Sequence, residues 1–555
     1  MGAQSHKVSP TRLITSLLSG EKQEVAIILA YGLGVGLLSL AVPVGVQTLV
    51  NNVNFGSFNQ PVLFLVLAVF IGLGVAATMR AVQVVMIELL QKRFFSQVAL
   101  EVAWRIPRLK LESSTSGHLP EFVNRFFDVL TVQKSGAMLL LEGFGLVLQI
   151  VLGLILLAFY HWFLLGFAFF IVGCVAVIFF LMGRGAVRTS IEESVQKYRV
   201  ATLLEDLAAR PLMFRSQHAR QLALTRADAV VNDYLKARSR HFRILMRQVL
   251  GSLALQAIAS SALLGIGAFL VVRNQLTLGQ LVAAEIVVTT ALGSLAKFQK
   301  HLEAFYDLVA ALDKIDGLLD LPIEKVAGDS LPANSSAAEI EIRDLSFGFE
   351  KVEALFTRVS ARIQPGSRVA LLGSNASGKS TLLDLVYGIK TPSAGTIAID
   401  GCDYRDLSCE SLRNHMALIR SIEILPDTIA ENVRLGREHL TTEDIRKALL
   451  AVGLMDQVTA LPDGLQTVLR GDGAPLSVAQ GQALMIARAI VGAPRLLLVD
   501  EVLDELDEGL RERTVSILLD PKAPWTLVLA THDPELAALC EVIVSMDALN
   551  ERRAG

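Results

Sequence analysis

The stretch Gly373-Ser374-Asn375-Ala376-Ser377-Gly378-Lys379-Ser380 has the residue types and spacing of a phosphate-binding loop. It follows the β-like run Val369–Leu372 and opens a helix-like run from Thr381, the strand–loop–helix setting that such a loop requires. Its glycines let backbone N–H groups curl around phosphate oxygens, and the start of the following helix adds positive dipole. Lys379 is then placed to reach the β- and γ-phosphates of ATP, and Ser380 to hold Mg2+. Farther on, the apolar run in RLLLVDE ends in Asp500 and Glu501. Many buried strands end in acids, so this pair gains its meaning from the intact loop upstream. Asp500 is placed to hold Mg2+ through water, and Glu501 to orient or deprotonate an attacking water. A second apolar strand, TLVLATHD, ends at His532, a candidate γ-phosphate contact.

These residues need an α/β domain to position them, and the rest of the chain is of another kind. Of the 555 residues, 52% are hydrophobic and only 19% charged, and the mean hydropathy of +0.50 is too high for a soluble protein. The apolar residues sit in long runs before about residue 310. Runs long enough to span a bilayer lie near 25–50, 61–82, 137–160, 162–183, 247–272 and 278–300, giving about six membrane helices. Two long polar connections separate spans two and three, and spans four and five. They carry Lys92, Arg93, Arg105, Arg108, Lys110, Arg125 and Lys134, and then Arg184, Arg188, Lys197, Arg199, Arg210, Arg215, Arg220 and Arg226. Of the short connections only one has a basic residue, Arg273. The bias predicts that the long connections, both termini and the C-terminal domain are cytoplasmic, in a multi-pass protein of the cell (inner, cytoplasmic) membrane.

Both long connections mix apolar and charged residues at helical spacing, so they are expected to be membrane helices continuing into the cytoplasm. They would turn back at ESSTSGHLPEF and LAARPLMFRSQ, each with a short element suited to touching the ATPase domain. Residues 1–23 are expected to form an interfacial helix through Leu13, Ile14, Leu17 and Leu18, a disordered terminus being the alternative. No cleavable signal peptide is expected. Arg80 and Glu88 are read as snorkelling. Glu142, Glu285, Thr289, Gly293, Lys297, Gln256 and Ser260 are candidates for a transport path or for helix–helix hydrogen bonds. The domain division is therefore 1–23, a transmembrane domain at 24–318, a linker at 319–338, and a soluble domain at 339–555. Cys174, Cys402, Cys409 and Cys540 lack metal-type spacing, and no disulfide framework is expected. A net charge of −3 gives no electrostatic case for nucleic acid.

On these motifs the chain resembles the ATP-binding cassette (ABC) half-transporters of the exporter type, over nearly its whole length. The phosphate loop matches, LSVAQGQALMIARAI aligns with the signature segment, DEVLDELD with the acidic strand end and its loop, and His532 with the switch histidine. The resemblance implies a membrane all-α six-helix domain plus an α/β P-loop ATPase domain. It implies that Phe349 stacks on adenine and that Gly373 to Thr381 cradle the phosphates. It also implies that Ser477, Ala479, Gln480 and Asp507 serve a nucleotide shared with a second half-transporter. ATP binding would close the dimer and hydrolysis reset it, giving alternating access.

Three departures stand out. The signature reads Leu476-Ser477-Val478-Ala479-Gln480 where the family has Leu-Ser-Gly-Gly-Gln. Arg420 occupies the place of a Mg2+-contacting glutamine, and a guanidinium cannot coordinate a metal although it can pair with phosphate. Asp504-Glu505-Leu506-Asp507 replaces Ser-Ala-Leu-Asp. Homodimer and heterodimer both stay open, the heterodimer slightly favoured, since the impaired signature serves the partner's ATP. Export or flipping of a cargo by ATP hydrolysis is expected. Peptide or protein is the first cargo considered, lipid or drug the alternative, and an ATP-gated regulator or channel is the competing function.

Overall fold

The computed structural model describes residues 22–54, 60–110, 124–332, 336–349 and 354–547. The chain divides into two compact units, residues 1–108 with 116–321, and 109–115 with 322–555.

The first unit is helical. Its elements are α1 (Lys22–Ser39), α2 (Ala41–Asn54), α3 (Gln60–Arg105), α4 (Asp128–Met138), α5 (Phe144–Tyr160), α6 (Trp162–Ala176), α7 (Ala186–Ala209), α8 (Gln217–Val272) and α9 (Leu278–Leu319). Pro43 lies in the first turn of α2, where a missing N–H costs least, and α1 stops just before it. Among the described residues five stretches are long and apolar enough to cross a membrane: Lys22–Asn52, Val62–Arg108, Arg125–Tyr160, Trp162–Met182 and Gln217–Val272. The sixth expected span coincides with the start of α9, where the apolar helix is the shorter Leu278–Thr290. The long connections are helical continuations: α3 runs 46 residues and α8 runs 56. The second turn-back lies at 210–216 and ends on Ser216, whose hydroxyl accepts from the Ala219 N–H and starts α8. The interfacial helix and the first turn-back, ESSTSGHLPEF, fall outside the described residues.

Among the described residues two π-helical turns, Leu139–Gly143 and Val177–Met182, interrupt the apolar helices. Such turns disturb the regular i→i−4 ladder and leave carbonyls in search of donors. Side chains from neighbouring helices supply them. Arg80 donates to the Leu141 carbonyl at 2.5 Å, and Gln248 to the Ile178 carbonyl at 3.3 Å. Arg80 therefore turns into the bundle, contrary to the snorkelling expected of it. The α3 residue Gln83 likewise caps the Ile28 carbonyl of α1 at 2.8 Å. Glu285 accepts from Thr289 at 3.3 Å, one helical turn on, consistent with a helix-face role.

Where α4, α7 and α9 meet, the unit buries an ionic knot. Lys314 lies 3.3 Å from the Asp128 carboxylate, which also accepts the Tyr198 hydroxyl at 2.8 Å. The ammonium donates to the Ser194 hydroxyl and stands 3.8 Å above the Tyr198 ring. Burial lowers the Lys314 pKa to about 8, against the pull of Asp128.

Among the described residues the second unit holds two sheets. Strands β1 (Ile340–Phe347), β2 (Phe356–Ile363), β3 (Arg368–Leu372), β4 (Ala394–Ile399), β5 (Cys402–Asp403), β6 (Met416–Ile419), β7 (Leu496–Asp500), β8 (Thr526–Thr531) and β9 (Val542–Ser545) form them. An antiparallel sheet has the order β2-β1-β4-β5, and a parallel sheet the order β6-β7-β8-β3-β9. β7 and β8 are buried along their whole length, as a parallel sheet covered on both faces requires, which explains their unbroken apolar sequence. Helices α10 (Lys379–Val386), α11 (Cys409–Asn414), α12 (Ile429–Arg434), α13 (Thr442–Ala451), α14 (Met455–Ala460), α15 (Val478–Val491), α16 (Glu508–Leu518) and α17 (Pro534–Ala537) complete the unit.

Candidate nucleotide site

The site forms at the carboxyl edge of the parallel sheet. Strand β8 lies between β3 and β7, with Leu372 paired to Thr531 and Asp500 to Ala530. The residues one step beyond are Gly373, His532 and Glu501. Three segments far apart in sequence thus leave the sheet side by side, because parallel strands in register end at one level. In open α/β sheets this edge is where ligands bind.

The phosphate loop joins β3 to α10. Gly378 has φ +98°, a left-handed conformation that glycine adopts without a Cβ clash. A Cβ on Gly373 would lie 2.6 Å from the Ser377 hydroxyl oxygen, so the loop's tight return also needs a glycine there. Lys379 lies buried across the loop. Its ammonium donates to the carbonyls of Gly373 (2.7 Å) and Ser374 (2.9 Å) and pairs with Glu501 at 3.1 Å. Ser380 donates its hydroxyl to Asp500 Oδ1 at 2.9 Å. Asn375 and Ala376 are exposed at the loop tip, while Ser377 is buried and Thr381 partly so. Glu501 itself holds φ +58°, unusual for a non-glycine residue. Backbone strain of this kind persists where the surroundings hold it, often at functional sites.

Arg420, at the end of β6, reaches into this cluster. Its Nε donates to Asp500 Oδ2, a terminal nitrogen lies 2.8 Å from Asp384 on α10, and the other donates to the Ser380 carbonyl at 3.1 Å. Burial alone would lower its pKa, but the hydrogen bond to Asp500 and the charge of Asp384 raise it. The arginine in the glutamine's place is thus held by two carboxylates.

Phe349 is half exposed and packs edge-on against Phe347, with ring centroids 5.3 Å apart. In the signature segment, Ser477 caps α15: its hydroxyl accepts from the Gln480 N–H, and the Gln480 carboxamide accepts from the Ser477 N–H at 2.8 Å. Val478 and Ala479 are therefore the first helical residues, and neither has a positive φ. The helix itself does not require glycine there, and the cost of the substitutions is steric, with Val478 67% exposed. Asp507 caps α16 by accepting from the Leu510 N–H at 3.1 Å.

Three carboxylates escaped the sequence reading. Asp384 holds Arg420. Asp504, met only as a departure, binds His532 (Nδ1 to Oδ2, 2.9 Å). Asp547 accepts from the Ser374 N–H at 3.0 Å and hydroxyl at 2.9 Å. Asp504 alone carried a signal, an acid where the family has serine.

Residues 356–504 match the family model described as ABC transporter. The ATP-dependent lipid A-core flippase of Saccharophagus degradans is 33% identical over 267 residues, 47% of this chain and 45% of that protein. The flippase of Chromobacterium violaceum is 36% identical over 45% of this chain and 44% of its own length. The mycobactin import ATP-binding/permease protein IrtB of Mycolicibacterium thermoresistibile is 31% identical over 51% and 49%. The chain spans about half the length of these curated relatives in the matches. A solved structure of a bacterial Atm1-family ABC exporter with ATP bound superposes with a TM-score of 0.83 at 20% identity, covering 97% of each chain, and so shares the fold. The stretch 356–504 thus matches the ABC transporter model, and the chain as a whole shares the fold of an ABC exporter, a unit of long apolar helices joined to a unit with the cassette's two sheets.

Proposed function

We propose that the chain hydrolyses ATP and uses the cycle to move a cargo out of the cytoplasm or between leaflets, working as a dimer by alternating access. One observation carries the reading: Lys379, Ser380, Asp500, Glu501 and His532 converge on one sheet edge. In this reading the loop N–H groups and Lys379 bind the β- and γ-phosphates, and Phe349 stacks on adenine. Glu501 accepts a proton from the attacking water, and His532 contacts the γ-phosphate. Two hard oxygen donors 2.9 Å apart, Ser380 Oγ and Asp500 Oδ1, fit a Mg2+ ion. When bound, the ion would neutralise phosphate charge.

The basic long connections support a cytoplasmic cassette in the cell membrane. The flippases among the relatives favour a lipid-like amphiphile over a peptide or protein as cargo. The exposed Val478 at the signature favours a partner subunit with an intact signature over a second copy of this chain.

The test is ATP turnover of the full chain in lipid nanodiscs, with Lys379→Ala as the blank. Turnover in the wild type with a loss of at least about 100-fold in K379A is expected, since the lysine interacts with the transferring group. Equal rates in the two, both for the chain alone and for the chain assembled with a half-transporter that carries an intact signature, would end the ATPase reading. A labelled lipid reconstituted in proteoliposomes then tests the cargo class.

Arg420 gives a second expectation. The Arg420→Gln change frees Asp500 Oδ2, and the Mg2+ concentration that half-saturates ATP binding should fall by roughly 10-fold, the worth of about one charge-assisted hydrogen bond. A fluorescent-nucleotide titration against Mg2+ reads this directly. An unchanged midpoint would show that the guanidinium does not compete with the metal.

A further inference from the structure

We propose that Asp504 is the positioning residue for His532, holding the imidazole so that Nε2 faces the γ-phosphate. The inference rests on reading His532 as the γ-phosphate contact and adds what holds it there.

His532 follows β8 directly and its side chain is 59% exposed. A ring so placed would sample several rotamers, and fixing one costs conformational entropy unless a partner holds it. The partner is Asp504. Its side chain is only 4% exposed, and Oδ2 lies 2.9 Å from His532 Nδ1. Asp504 is itself fixed from two sides. Oδ1 accepts the Thr531 hydroxyl at 2.6 Å, and Oδ2 accepts the His532 backbone N–H at 3.3 Å.

The chemistry of the pair sets which way each nitrogen works. An ionised carboxylate only accepts hydrogen bonds, so Nδ1–H donates to Asp504; a phosphate oxygen is also an acceptor, so the ring would meet it through Nε2–H, as the imidazolium held between two anions. The carboxylate also belongs to the turn that begins at Glu501: Asp504 N–H donates to the Glu501 carbonyl at 3.2 Å, and Glu501 N–H to the Ala530 carbonyl at 3.0 Å. The residue after His532 is secured as well, by the Asp533–Arg511 ion pair. The proposed base and the proposed γ-phosphate contact are thereby tied into one short unit. Serine, the residue of the resembling family at this position, has a shorter side chain and no carboxylate to hold the ring's N–H. The replacement at 504 thus makes recognition of the γ-phosphate a property of this chain's own carboxylate–imidazole pair.

The experiment uses the full chain in nanodiscs and measures two quantities, the preference for ATP over ADP in fluorescent-nucleotide displacement, and kcat. Variants are Asp504→Asn, His532→Ala and the double. Asparagine keeps the acceptor for Thr531 but presents an amide to Nδ1. Each single change is expected to lower the ATP preference roughly 10-fold, the worth of one hydrogen bond to a charged group. The double variant should be no worse than H532A alone, since both act through one contact. A D504N chain with wild-type preference and kcat would overturn the proposal. So would a D504N loss that adds in full to that of H532A, because Asp504 would then act through the loop.

His532→Gln supplies a second check that leaves Asp504 intact, for use if D504N does not fold. Glutamine places an amide where Nε2 lies but makes no Nδ1 contact. It should lose the preference as alanine does, and wild-type preference in H532Q would overturn the proposal. Wild-type preference in H532A would remove the γ-phosphate reading itself, whereas a loss in H532A with none in D504N would remove only Asp504.

Discussion

Replacing Glu501 with glutamine should cut ATP turnover roughly 100- to 10,000-fold, the range for losing a positioned general base, while ATP binding is kept or tightened. The two effects have separate causes. Glutamine is nearly isosteric but cannot take up a proton at neutral pH, so the attacking water loses its acceptor. Binding follows from the pairing 3.1 Å away: Glu501 is the acid against the Lys379 ammonium, which also donates to the Gly373 and Ser374 carbonyls. Removing the negative charge frees the lysine for phosphate and lessens repulsion of the γ-phosphate. Turnover and nucleotide titration in the full chain measure both. A variant that hydrolyses ATP at the wild-type rate would assign the base to another residue. A variant that no longer binds ATP would show that Glu501 builds the site rather than serving its chemistry.

The largest stability effect is expected in the helical unit, at the Lys314–Asp128 pair. The two side chains are only 9% and 6% exposed. Lys314→Ala should destabilise the membrane unit by about 3–5 kcal/mol, the cost of leaving one member of a buried pair uncompensated. Replacing both members with apolar residues of similar size, Lys314→Met with Asp128→Leu, should cost much less or nothing, because no buried charge remains. Thermal unfolding in detergent separates the two. Equal losses in the single and double variants would mean that packing, not charge, sets the cost.

The same lysine carries a pH dependence. Its folded pKa, lowered to about 8, lies below the ordinary 10.5. Between these values the unfolded chain binds the proton more tightly than the folded one does. Stability from this group therefore rises as pH increases from about 8 to 10.5, by about 3 kcal/mol in all. The K314M variant should lack this rise, and unfolding curves at pH 8 and 10 provide the comparison.

The parts legible in the sequence were those whose signal is contiguous. The phosphate loop, the acidic strand end, the histidine at the end of the next apolar strand and the apolar runs of the membrane half are each one segment long. Their chemistry follows from order and spacing along the chain. The extension of α3 and α8 beyond the bilayer was legible for the same reason, since helical spacing continues through the charged stretches. The π-helical turns were not. An apolar helix looks alike in sequence whether its ladder is regular or widened, and only the packed bundle shows Arg80 and Gln248 capping the released carbonyls.

The tertiary structure alone decided which carboxylate each cation meets. Arg420 is 36 residues from Asp384 and 80 from Asp500, and its placement between them depends on β6 lying beside β7 and on α10 following the phosphate loop. Asp504 meets His532 because β7 and β8 end at one level, and Asp547 reaches Ser374 because β9 is the edge strand beside β3. Pairings of this kind are set by strand order and register, which no local pattern encodes. The sequence by itself therefore determined the chemistry available to this protein, and the packing of its sheet determined which charges hold that chemistry in place.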